Sequence, residues 1–178
     1  MKITSLIRIL SGGLLALLFT STAIASPEIS GRWRLDPDQS TALDGWLAMD
    51  LVISKEGSKV SVTHDMRWRS TLHSKTNVFD TAKSVEIDDL FRVEQRHMAV
   101  YPTKGGHSHA TAHWLDDGRT LRVEILTDVE VSQGNVTMRI YQEYRVSELA
   151  KTLTLIELHS TRNRPLVYVL HKVTEEEK

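Results

Sequence analysis

Between His107 and Val131 the chain reads as a β-hairpin, and these two arms limit the fold more than any other stretch. The alternating runs HSHATAHW and LRVEILTDVEV flank an Asp117-Gly118 pair. Asp-Gly between alternating runs is the strongest short-range hairpin signal, because glycine takes the positive φ of a tight turn without penalty. A two-residue turn there sets Asp116 against Arg119, and therefore Trp114 against Leu121, Ala112 against Val123 and Ala110 against Ile125. Those residues form one apolar face. The other face pairs His113 with Arg122, Thr111 with Glu124 and His107 with Asp128. The dense histidines His107, His109 and His113 therefore belong to the polar, outward side, where a sheltered metal centre with convergent ligands would not form. His107 and His109 could share a surface ion. His113 stands about 13 Å from His109 at ~3.3 Å per strand residue, too far to join them. No metal is assigned.

The same alternation runs through the rest of the chain. Gly31 to Asp36 presents Trp33 and Leu35 on one face and stops at Pro37. Leu47, Met49, Leu51 and Ile53 form the next apolar face. After a turn at Glu56-Gly57 come Val60, Val62, His64, Met66 and Trp68. The expected register places Ile53 against Val60, Leu51 against Val62 and Met49 against His64. Arg69 to Lys83 is poor in apolar residues and predicts only a short edge strand near Asn77 to Phe79. Val85, Ile87, Phe91, Val93, His97 and Tyr101 share odd positions, with a break at Asp88-Asp89. Three further runs follow, Val136 to Val146, Lys151 to Ser160 and Leu166 to Val173. No stretch sustains a helical period. The class is all-β: an antiparallel up-and-down meander of eight to ten strands, which either curls into a barrel or packs as two layers.

Residues 1–25 read as a secretory signal peptide. Lys2 and Arg8 precede an apolar run from Ile9 to Phe19, and Ala23-Ile24-Ala25 is a small-x-small cleavage site. That run is about half the ~20 residues a membrane span requires. Residues 26–178 then make one domain, and the expected location is periplasmic or secreted. Without Lys2 and Arg8, the 22 basic residues of the whole chain become 20, against 23 acidic ones. No basic excess draws the domain to nucleic acid. With no cysteine, it has neither disulfides nor a lipid-attachment thiol, and its core alone must hold it. Oligomeric state is left open.

Parity also sorts the buried polar residues. His64 falls on an inward face, as does His97, which is expected beside the small Ala110 and Ala112. In the hairpin with Tyr144, Leu153 and Leu155 face inward, and Glu157 and His159 continue that face. Buried carboxylates and imidazoles are costly unless paired or wetted, and a barrel lumen holding a ligand accommodates them. The candidate ligand-binding residues are His64, Trp68, His97, Tyr144, Glu157 and His159. Met49, Met66, Phe91 and Tyr101 complete an apolar wall for a small, partly apolar ligand, lipids included. A hydrolase or isomerase using Glu157 with an inward histidine is one alternative, but no nucleophile motif is present and no catalytic residue is assigned. A filled barrel acting as a cell-envelope module is another. No phosphate-cradling glycine loop or haem-attachment cysteine pair occurs, and no cofactor is assigned.

Gly31-x-Trp33, opening the first strand of an exported β-meander, resembles the lipocalin and calycin signature. The longer phrase Gly31-Arg32-Trp33-Arg34-Leu35-Asp36, with Ser40 following, is similar to the start of bacterial lipocalin-like exported domains of uncharacterised role. The resemblance implies a barrel closed at one end by Trp33, with a late arginine, Arg162 or Arg164, packed over it. The Thr-Asp-Tyr turn motif of kernel lipocalins is missing, so no particular cargo is implied.

Overall fold

The computed structural model describes residues 28–42, 46, 48–95, 98–100, 107–131 and 134–174. Its strands are β1 (Gly31–Asp36), β2 (Ala48–Glu56), β3 (Lys59–Trp68), β4 (Thr71–Asp80), β5 (Val85–Ile87), β6 (Val93–Gln95), β7 (Met98–Val100), β8 (Ser108–Leu115), β9 (Thr120–Val131), β10 (Gly134–Val146), β11 (Thr152–His159) and β12 (Leu166–Lys172). No α-helix occurs among the described residues. Ten strands form one antiparallel sheet in the order β4-β3-β2-β1-β12-β11-β10-β9-β8-β5, while β6 and β7 pair with each other. The two ends of this order approach one another, β4 lying beside β5 and β8. The result is a nearly closed meander barrel with a single seam, in which the first strand, β1, pairs with β2 and with the last strand, β12.

Alternation puts Trp33, Leu51, Ile53, Val62, Leu121, Ile125, Ile140, Leu153 and Leu170 inside, all essentially inaccessible to solvent. Each such large side chain contributes about 1.5–3 kcal/mol through burial. The outer face carries ion pairs such as Arg32 with Asp50 and Asp65, both at 3.1 Å. Pairs this exposed contribute ~1 kcal/mol or less each.

The β8–β9 register is the expected one: Trp114 faces Leu121, Ala112 faces Val123 and Ala110 faces Ile125. The turn itself is wider than expected, a 3-10 turn over Asp116–Gly118 with Asp116 at φ 51° and Gly118 at φ 89°. Other expectations need correction. β2 and β3 meet through the two-residue turn Gly57-Ser58, with Gly57 at φ 58°. This sets Ile53 against Val62, Leu51 against His64 and Met49 against Met66, two residues away from the expected register. A slip of two keeps every side chain on its face, so the apolar pattern could not detect it. β4 is a full ten-residue strand, paired with β3 from Thr71 to Asp80. It lies at the seam with half of its side chains exposed and only three buried, and so lacks the apolar alternation that marks a strand.

Trp33 is fully buried in the barrel, and its indole N–H donates to the Ile29 carbonyl at 2.9 Å. The cation over its ring is Lys172, 5.1 Å from the ring centroid, and neither Arg162 nor Arg164. Lys172 is the cross-strand partner of Trp33, whereas both arginines precede Leu166 at the far end of β12. Gly31 admits this lysine: its φ is 137°, and a Cβ there would lie 2.9 Å from the Lys172 Cε.

Candidate functional site

Facing strands build a polar chain inside the barrel. β10 pairs with β11 so that Gln142 stands opposite Glu157, Ile140 opposite His159 and Tyr144 opposite Leu155. The Tyr144 hydroxyl donates to Gln142 Oε1 at 2.9 Å, and the Gln142 amide donates to Glu157 Oε2 at 2.5 Å. His159 Nε2 lies 2.7 Å from Glu157 Oε1, and a ring N–H donating there completes the carboxylate. All four residues are buried. Burial alone would raise the Glu157 pKa. The hydrogen bond and charge of His159, the Gln142 amide and the charge of His64 together outweigh it, and the carboxyl sits below its ordinary value. The Tyr144 hydroxyl is pushed well above its ordinary value, first by burial and then by the Glu157 charge.

His64 comes from β3. Its ring stacks on Phe91 with centroids 4.1 Å apart and planes 19° from parallel. Neither ring nitrogen has a hydrogen-bond partner among the described residues. Burial lowers its pKa from 6.5 to about 4 against the opposing pull of Glu157 and Asp65, so the imidazole is neutral at neutral pH. His64, Glu157, Met49, Met66, Phe91 and Leu155 line a chamber of about 10 Å³. That is room for roughly one water molecule.

Beside the chamber two hollows open to the surface around Trp46, and this is taken as the open end of the barrel. Arg92 Nη1 is 3.2 Å from His73 Nε2, its guanidinium lies 5.4 Å from the Trp46 ring centroid, and Trp46 meets His73 edge-on at 5.6 Å. Burial, and then the Arg92 charge, lower the His73 pKa. A hollow of about 280 Å³ opens here, lined by Trp46, Met66, His73, Lys75, Phe91 and Arg92 among others, and it reaches His64. A second hollow of about 480 Å³ lies against Trp46, Leu35, Ala48 and Met49.

Phe91 points inward because its segment is tied down. The Asn77 side-chain amide donates to the Asp89 carbonyl at 2.9 Å and accepts the Phe91 amide at 3.0 Å. Lys75 adds an ion pair with Asp89. One buried asparagine thus stands in for a strand partner to residues 88–92, which belong to no strand.

Of the residues singled out by parity, His64, Tyr144, Glu157 and His159 share the barrel interior, three of them in one hydrogen-bonded chain through Gln142. The Trp68 side chain, His97 and Tyr101 lie outside the described residues. The ladder partner of Ala110 on β5 is Val85. His107 and His109 are exposed and face carboxylates, Asp88 at 3.2 Å and Glu86 at 3.7 Å. Sequence reasoning passed over Gln142, although it shares the inward face of Ile140 and Tyr144. It also passed over Asn77 and Arg92, whose parts depend on contacts no local pattern announces.

Fold and site together define a nearly closed antiparallel β-barrel with a polar chamber beneath its open end. Neither a scan of protein-family models nor a search of curated proteins returns a match to this chain.

Proposed function

We propose that the protein is an exported, lipocalin-like binding barrel that takes a small, partly apolar ligand at its open end and sets a polar group of it against His64. His64 carries this reading. It is a buried imidazole with two unpartnered nitrogens on the wall of a water-sized chamber. A buried polar group left unmade costs about 1–3 kcal/mol, and a ligand group that donates or accepts there recovers it. Apolar walls with a few placed polar groups are the usual composition of small-molecule sites. Residues 1–25 support export. Gly31-Arg32-Trp33, with a cation over the Trp33 ring, supports the lipocalin-like reading.

Native mass spectrometry of protein purified from its own host tests this. The expected result is a discrete added mass that leaves on denaturation and is depleted in His64→Leu. Protein that is empty in every preparation would overturn the reading.

A second reading is acid–base chemistry on the bound molecule, favoured by the buried Glu157–His159 contact at 2.7 Å. On that reading Glu157→Gln retains its ligand unconverted while the wild type converts it. On the binding reading both return it unchanged.

A further inference from the structure

We infer that Phe91 occupies the seat of the ligand, and that the ligand carries a flat aromatic ring which replaces Phe91 over His64 and directs a hydroxyl or ring N–H into the chamber. This deepens the binding-barrel reading and rests on it.

The seat has the shape of a ring. His64 and Phe91 stack nearly parallel at 4.1 Å, and whatever takes the place of Phe91 meets a flat imidazole face. Met49 and Met66 line the same chamber, and thioethers favour the edges of aromatic rings. Arg92 borders both the chamber and the hollow above it, and guanidinium groups lie well against aromatic faces. The chemistry is incomplete only at the inner edge. Phe91 offers C–H groups to a chamber walled by the Glu157 carboxylate and by His64, whose nitrogens are unpartnered. A phenol or an indole offers the same ring with a donor on that edge. An alkyl chain supplies neither the flat face nor the donor.

Phe91 is also held by ties that can come undone. Residues 88–92 make no ladder. They are fastened to β4 by the two Asn77 hydrogen bonds, the Lys75–Asp89 pair and the Arg92–His73 contact, and to His107 through Asp88. Lys75 is partly exposed and Asp89 mostly so, which makes that tie weak in water. Withdrawing Phe91 would join the 280 Å³ hollow to the chamber, giving a site of the size small ligands occupy. A site competent only when Phe91 is out has its apparent affinity reduced by the fraction of time it is open.

The test is calorimetric titration with p-cresol, with toluene and n-octanol as controls, on wild type, Asn77→Ala, Asp89→Asn and Phe91→Ala. The inference expects p-cresol to bind wild type at least tenfold more tightly than toluene. It expects roughly tenfold tighter binding to Asn77→Ala, whose ties are cut, and the tightest binding to Phe91→Ala. Asp89→Asn, an exposed change, shows the same direction with a smaller gain and serves if Asn77→Ala does not fold. Binding of p-cresol no tighter than toluene, unchanged affinity in the loosened variants, or no p-cresol binding even to Phe91→Ala overturns the inference. Octanol binding without p-cresol binding also overturns it, while leaving the binding barrel intact. An empty protein in the native mass spectrum, by contrast, removes the binding barrel itself.

Discussion

Trp33 sits in β1 with ladders on both sides, its N–H is bonded to Ile29 and Lys172 covers its ring. At the open end, Phe91 fills the barrel from a segment outside any strand, held by the side chains of Asn77, Lys75 and His73. Both aromatics are buried, but the first is fixed by the sheet and the second by ties that can be released without breaking a ladder. The two ring nitrogens of His64, beneath Phe91, have no partner among the described residues, whereas the Trp33 N–H is bonded to Ile29. Local rules are kept where the barrel needs only stability and broken beneath the open end, where a functional site is expected to break them.

The comparison fails first if the two aromatics cost the same to remove. Trp33→Ala is expected to lower the unfolding free energy by about 3–5 kcal/mol in guanidinium melts. Phe91→Ala should cost less than half as much, because the strap can relax around the loss. Equal losses would make Phe91 ordinary core. Next comes His159→Ala, which leaves Glu157 buried without its main partner and should cost about 3–5 kcal/mol at neutral pH. Its acid variant, Glu157→Gln, should cost less, since an amide can still meet Gln142 and His159.

A pH series sharpens the picture at smaller scale. The folded-state pKa of His64 is about 4, below its ordinary 6.5, so between these values the unfolded chain holds the extra proton. Stability is then fully present above pH 6.5 and falls as pH drops towards 4, by about 3 kcal/mol in all. Glu157 and Asp65, the charges facing His64, oppose this shift. The lowered Glu157 pKa acts in the same direction at lower pH: its contribution is present above the ordinary carboxylate range and is lost as pH falls through its folded value. In His64→Leu the decline between pH 6.5 and 4 should flatten, and an unchanged slope would mean that His64 is not buried neutral. Smallest is Lys172→Met, expected to cost about 0.5–1 kcal/mol for the cation over Trp33.

Much of this architecture was legible in the sequence, and the gaps have physical reasons. The β8–β9 register could be read because Trp114, Ala112 and Ala110 have apolar partners at only one offset around Asp117-Gly118. Parity placed His64, Glu157 and His159 indoors because each continues a strand whose neighbouring positions are apolar. The β2–β3 register was missed by two because that slip preserves the pattern. β4 was cut short because a seam strand with half of its side chains exposed carries little pattern. Gln142 looked ordinary because an inward glutamine has no signature without its partner across the ladder. Asn77 could not be recognised at all: its partners, Asp89 and Phe91, follow it by 12 and 14 residues, through a segment with no repeating geometry.

The central claim is that the open end can release Phe91 while the barrel stays folded. Native-state amide hydrogen exchange tests it without any knowledge of the ligand. The Phe91 amide, bonded to Asn77 Oδ1 at 3.0 Å, should exchange through a local opening well below the global unfolding free energy, while the ladder amides of β1 and β2 exchange only by global unfolding. Phe91 protected to the same level as those ladder amides would contradict the account.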